Sequence, residues 1–166
     1  MYIVILTIIP VASFTPIDSS LLSTIFALAA CFGSAAGIAI TRQVPQRLPV
    51  IRWYELVMSL AAIVMVMTSS ATIAIIMAAI VGFLMFLPVT ALVTIPQELP
   101  NMTPSKLTII MGFFWSFSYI IETIAYWGVG YVIDIAGFKA GLYLTIALSL
   151  TFFIGSFLLL ETGKKK

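Results

Sequence analysis

Long apolar runs alternate with short polar clusters along this chain. No residue is charged from Leu21 to Thr41, and again none from Leu56 to Gln97. A helix needs about 20 apolar residues to cross a hydrocarbon core of about 30 Å. The second stretch is long enough for two crossings, and Thr68-Ser69-Ser70-Ala71-Thr72 is the place for it to turn back. Leu107 to Ile133 carries one charge, Glu122, and Ala140 to Leu160 carries none. The pattern predicts helices at about 1–14, 21–41, 54–68, 72–95, 106–132 and 139–160. At 1.5 Å per residue the first reaches only about 21 Å. It is expected to be the remainder of a helix that begins upstream, in a longer parent. A helix lying in the membrane interface is the alternative, but Met1–Phe14 has no charged face to favour it.

Composition strengthens this reading. Of the 166 residues, 62% are hydrophobic and 8% charged, and the mean hydropathy is +1.20. Soluble domains carry about 25% charged residues to cover their surface. A soluble globule and a disordered chain are both excluded. The expected fold class is all-α: a polytopic membrane bundle of six transmembrane helices, the first one short.

Residue counts remove several chemistries. There is no histidine, which excludes Ser-His catalysis and most zinc, copper and haem sites. The single cysteine, Cys31, makes no intrachain disulfide or thiolate cage and is expected to be a small buried packing residue. No cofactor and no metal is implied. A net charge of +2 suggests no nucleic-acid partner. The start lacks the positive region of a signal peptide, and no lipidation motif is present.

Charge also sets orientation. With six helices, seven of the eight Lys and Arg fall on one side: Arg42, Arg47, Arg52, Lys106 and Lys164–Lys166. Only Lys139 falls on the other. The positive-inside rule then places both chain ends in the cytoplasm, in an integral multi-pass protein of the cytoplasmic membrane.

Thirteen of the fourteen charges are expected at loops, helix ends or the tail, and Glu122 inside the membrane. A charge at that depth costs roughly 2.5–3.5 kcal/mol on insertion scales and usually faces a bundle interior or a wet cavity. Helical spacing puts Trp115, Ser118, Tyr119 and Tyr126 on its side of the 106–132 helix. This polar-aromatic stripe is a candidate substrate or proton pathway; a carboxylic acid in an interhelical hydrogen bond is the plainer alternative. Trp127, Tyr131 and Phe138 fit an aromatic belt at the membrane surface.

Other positions carry structural signals. Ala29, Gly33 and Gly37, four apart, form a small-residue face for close helix packing. Pro88 lies within the 72–95 helix and is a candidate hinge. Pro96, Pro100 and Pro104 bracket Gln97–Thr103 as a loop, and Pro45 and Pro49 do the same between the second and third helices. Asp18, Asp134 and Gly137 are expected in turns.

Taken in order, these features resemble the C-terminal half of a major facilitator superfamily transporter. Gly37-Ile38-Ala39-Ile40-Thr41-Arg42 followed by Arg47 is similar to that family's cytoplasmic loop motif, with Thr41 in place of its Asp and the following Gly absent. Pro96-Gln97-Glu98-Leu99-Pro100 followed by Gly112 resembles a later loop. Gly128-x-Gly130-Tyr131-Val132-Ile133-Asp134-x-x-Gly137 and Glu161-Thr162 resemble the family's patterns near its last two helices. The resemblance implies alternating access between two six-helix halves, with the helix of Glu122 lining the cavity. It implies a missing N-terminal half, or a second copy, as partner within the lipid bilayer. The substrate would be an unidentified small molecule, moved with or without a proton. A non-transporting membrane subunit that binds a partner through its small-residue helix faces is the competing reading. An intramembrane enzyme is not expected, because one deep carboxylate makes no dyad and no serine has a deep His or Lys as its base.

Overall fold

A computed structural model of the chain describes residues 17–44 and 46–159. They form five helices: α1 (Ser19–Gln43), α2 (Leu48–Met67), α3 (Ala71–Gln97), α4 (Pro104–Ala136) and α5 (Phe138–Gly155). No strand occurs among the described residues. All five helices are long and apolar enough to cross a membrane, so the chain is a multi-pass helical membrane protein. The expected helix at 1–14 and the Lys-rich tail lie outside the described residues.

The helix ends follow local chemistry. Asp18 caps α1: its Oδ1 accepts from Ser20 N at 2.9 Å and its Oδ2 from the Ser20 hydroxyl at 3.0 Å. Satisfying free first-turn amides is the job of an N-cap, so Asp18 does more than mark a turn. Thr103 caps α4 through Lys106 N, with Pro104 at the helix start, where proline loses no hydrogen bond. α4 stops because Gly137 takes φ 83°, a left-handed conformation that suits glycine. The Gly137 amide still donates to Ile133 O at 2.9 Å, and α5 begins at the next residue.

Several boundaries differ from expectation. α2 begins at Leu48 rather than 54, because Pro49 sits in its first turn and starts the helix instead of closing a loop. Arg52 and Glu55 are therefore helical. α3 stays helical through Pro88 and Pro96 to Gln97, so Pro96 is inside the helix. α4 extends to Ala136 and takes Asp134 with it, while α5 ends at Gly155 rather than near 160.

Packing gives the spatial order α1, α3, α2, α5, α4, with only a light touch between α3 and α4. The main core draws Leu22 and Phe26 from α1 and Met58, Ala62 and Met65 from α2. Ala74, Ala78 and Val81 join from α3, and Leu142 and Ile146 from α5. A second cluster, Leu48, Val50, Ile51 and Ala91, closes the end of the bundle where α2 begins. Lipid tails are as apolar as these side chains, so close packing rather than escape from water holds such helices together. Large apolar residues such as Phe32, Phe113 and Trp127 are exposed, which suits a lipid-facing surface and not an aqueous one.

α1 and α3 show that close packing most clearly. A Cβ on Gly33 would collide with the Phe83 carbonyl oxygen, and one on Gly82 with the Phe26 carbonyl oxygen. The two backbones meet at both points. A Cβ on Gly37 would lie 2.8 Å from Thr90 Oγ1. Gly33 and Gly37 thus lie in the packing face, continued by Leu22, Phe26 and Ala30. Ala29 sits beside it, on an outer groove with Phe32 and Phe83. The answering face on α3 is Ala74, Ala78 and Gly82, also four apart.

Candidate functional site

Residues of α4 with reduced exposure recur at helical spacing: Phe114, Ser118, Glu122, Tyr126, Val129 and Val132. Val129 is the buried residue on this 33-residue helix. Glu122, Ser118 and Tyr126 therefore share the inward stripe. The Tyr126 and Glu122 side chains are hydrogen-bonded to each other. Ser118 Oγ donates to Phe114 O at 2.7 Å, which uses its proton but leaves its lone pairs free to accept.

The other two residues of the expected stripe turn outward. Trp115 is 40% exposed and Tyr119 62%. Their rings stack on each other at 6.1 Å and 28°. The structure thus brings together Ser118, Glu122 and Tyr126, and sets Trp115 and Tyr119 to the side. Trp127 and Tyr131 are exposed and stacked at 6.0 Å, a placement that suits an aromatic belt.

The expectation that Glu122 is the one deep charge is corrected by Glu55. It is 2% exposed, on the buried face of α2, about two turns from the helix start. Buried Ser59 follows one turn on. The signal for it was present in the sequence: reading Pro49 as a helix starter moves Glu55 from the first turn of the expected 54–68 helix to about two turns inside α2. α2 is packed between α3 and α5. Between Ala71 and Gln97, α3 offers no ionisable side chain, and α5 offers only Lys139 and Tyr143 near its start. α5 adds the buried hydroxyls of Thr145 and Ser149, which donate to Gly141 O at 2.9 Å and Ile146 O at 2.7 Å. Glu55 and Glu122 stand on separate helices, α2 and α4, each packed against α5.

The loop motif resolves into a clamp around Arg47. Its Nη1 donates to Thr41 O at 2.5 Å and Val44 O at 2.9 Å, covering carbonyls at the end of α1. Its Nε donates to Glu98 Oε1 at 3.1 Å, and an ion pair with Glu98 closes the contact. Arg47 thereby joins the ends of α1 and α3. Arg42 is exposed in the last turn of α1, where a cation complements the helix dipole. Pro88 is buried inside an unbroken α3.

Cys31 is exposed rather than buried. It lines a groove of about 650 Å³ with Ser23, Phe26, Ser34 and Phe86, along α1 and α3. Among the described residues, no three His, Cys, Asp or Glu side chains converge as metal ligands would.

Compared with protein families, curated proteins and solved structures, the chain matches none.

Proposed function

We propose that this protein is one half of a secondary active carrier, moving a small solute across the cytoplasmic membrane by alternating access. One observation carries the reading. Glu122, Ser118 and Tyr126 share a face of a membrane helix that packs only lightly on the rest of the bundle. Polar groups at that depth are costly and usually face a cavity or a partner. In the proposed carrier that face lines a central pathway completed by a second six-helix half or a second copy, and the two halves rock about it. Glu122 takes up the driving proton or pairs with a cationic group of the solute. Both chain ends lie in the cytoplasm, on the side of Arg42, Arg47 and Lys106.

The alternative, a non-transporting subunit that docks through small-residue faces, has less support. Gly33, Gly37 and Gly82 are already covered by α1–α3 packing, so those faces are not available to a partner.

The test uses the chain reconstituted with its second half in vesicles loaded with a pH-sensitive dye. Sugars, amines, organic acids and hydrophobic drugs are then supplied in turn. One class should drive proton movement, and Glu122→Gln should slow it at least about tenfold, the scale of a lost proton-transfer group. Unchanged transport and pH dependence in Glu122→Gln would remove Glu122 from the mechanism. Transport by the monomeric chain alone would overturn the half-carrier reading.

A further inference from the structure

A cleft of about 370 Å³ opens between α2 and α5, lined by Pro49, Arg52, Trp53, Leu56, Phe153 and Phe157. Its walls are apolar or aromatic, and its single charge is Arg52. The Arg52 guanidinium carbon lies 4.2 Å from the Phe157 ring centre. Nη2 donates to Ser156 O at 3.2 Å. These two contacts hold the guanidinium plane in place, while the buried Nε has no hydrogen-bond partner.

Arg52 is the charged residue among those lining the cleft; of the nearby carboxylates, Glu98 is paired with Arg47 and Glu55 lies on the buried face of α2. α2 starts at Leu48 with no side-chain cap and no acidic residue in its first turn. The positive end of its helix dipole is therefore not offset by a first-turn acid. Arg52 adds a full positive charge one turn further on. A cation at a helix start is unfavourable unless an anion joins it. Arg52 lies only about 6 Å along the helix from Leu48, close to one end of the 20-residue α2. Beyond it, toward the membrane interior, the cleft continues as Leu56 and Phe153, with Trp53 68% exposed at its rim.

We propose that this cleft binds an anionic glycerophospholipid. The headgroup phosphate sits on Arg52, with the fork geometry of guanidinium for phosphate oxygens. An acyl chain runs along Trp53, Leu56 and Phe153. A cation with apolar walls below it, at the membrane surface, fits a lipid better than a free phosphate, which would leave those walls unused. The inference does not depend on the transport reading.

Trp53 is one of three tryptophans, so Trp115→Phe with Trp127→Phe leaves it as sole reporter. Lys164→Gln, Lys165→Gln and Lys166→Gln keep the tail from drawing anionic lipid to the same face. In vesicles, brominated phosphatidylglycerol should quench Trp53 with about fivefold higher apparent affinity than brominated phosphatidylcholine, the scale of one basic residue near a membrane surface. Arg52→Gln should abolish the preference, and Arg52→Lys should keep part of it. Equal quenching by the two lipids overturns the proposal without any Arg52 variant having to fold. So does a preference that survives Arg52→Gln, or full displacement of the brominated lipid by inorganic phosphate alone.

Discussion

Glu55 and Glu122 are the same residue type inside the same membrane protein, yet their surroundings differ. Glu122 is half-buried on a lightly packed helix beside Tyr126, while Glu55 is sealed within the bundle near Ser59. An ionised carboxylate at membrane depth costs a few kcal/mol, so each needs polar company or a function. For Glu55 the expectation is structural. Glu55→Gln preserves the outline without the charge and should change unfolding stability in detergent by less than about 1 kcal/mol. Glu55→Ala leaves neighbouring polar groups unmatched and should cost about 1–3 kcal/mol. Thermal or denaturant unfolding measures both. A Gln variant as unstable as the Ala variant would mean that the charge itself is used.

At the scale of elements, the contact between α1 and α3 decides the bundle. Two glycines, Gly33 and Gly82, let each backbone reach a carbonyl of the other helix. A side chain at Gly33 has only backbone to push against, and backbone yields poorly. Gly33→Leu should therefore separate the helices and cost about 1–3 kcal/mol, as overpacking does. Gly112 on α4 has nothing within 4 Å of an added Cβ. Gly112→Ala should be neutral or stabilising by up to about 1 kcal/mol, because alanine is the better helix former. Unfolding of the two variants side by side checks the contrast. Equal effects would contradict the close approach. Gly33 and Gly37 were readable from their spacing, whereas the Ala74-Ala78-Gly82 face that meets them came from the structure. What spacing could not say was that the two faces meet each other rather than a partner.

Across the whole molecule, the described helices follow one another in the order α1, α3, α2, α5 and α4, with a light contact from α4 back to α3. α4 exposes Ile109, Phe117, Ile121 and Ile124 on the side of the helix away from Glu122, an apolar surface that suits lipid. Topology is testable without knowing the substrate. In a Cys31→Ser background, Gln46→Cys precedes α2 and Ser69→Cys follows it, and both positions are exposed. A membrane-impermeant maleimide should label Gln46→Cys from the cytoplasmic side and Ser69→Cys from the outside. Labelling of both from one side would mean that α2 does not cross, and the reversed pattern would invert the proposed orientation.

The sequence alone determined that the chain is helical and membrane-spanning, because apolar runs of bilayer length have few other solutions. It also marked the break between α2 and α3, which the structure places at 68–70, since a turn there depends only on local polarity. It misjudged where α2 begins, because Pro49 reads equally as loop or as helix start, and with that boundary Glu55 was placed at a helix end instead of on a buried face. Only the tertiary structure paired α1 with α3, turned Trp115 and Tyr119 away from Glu122, and set Arg52 over Phe157 from residues more than a hundred positions apart. Those outcomes rest on which helix faces fit together, and in lipid, where every face is greasy, hydrophobicity does not choose among them; shape and a few polar contacts do.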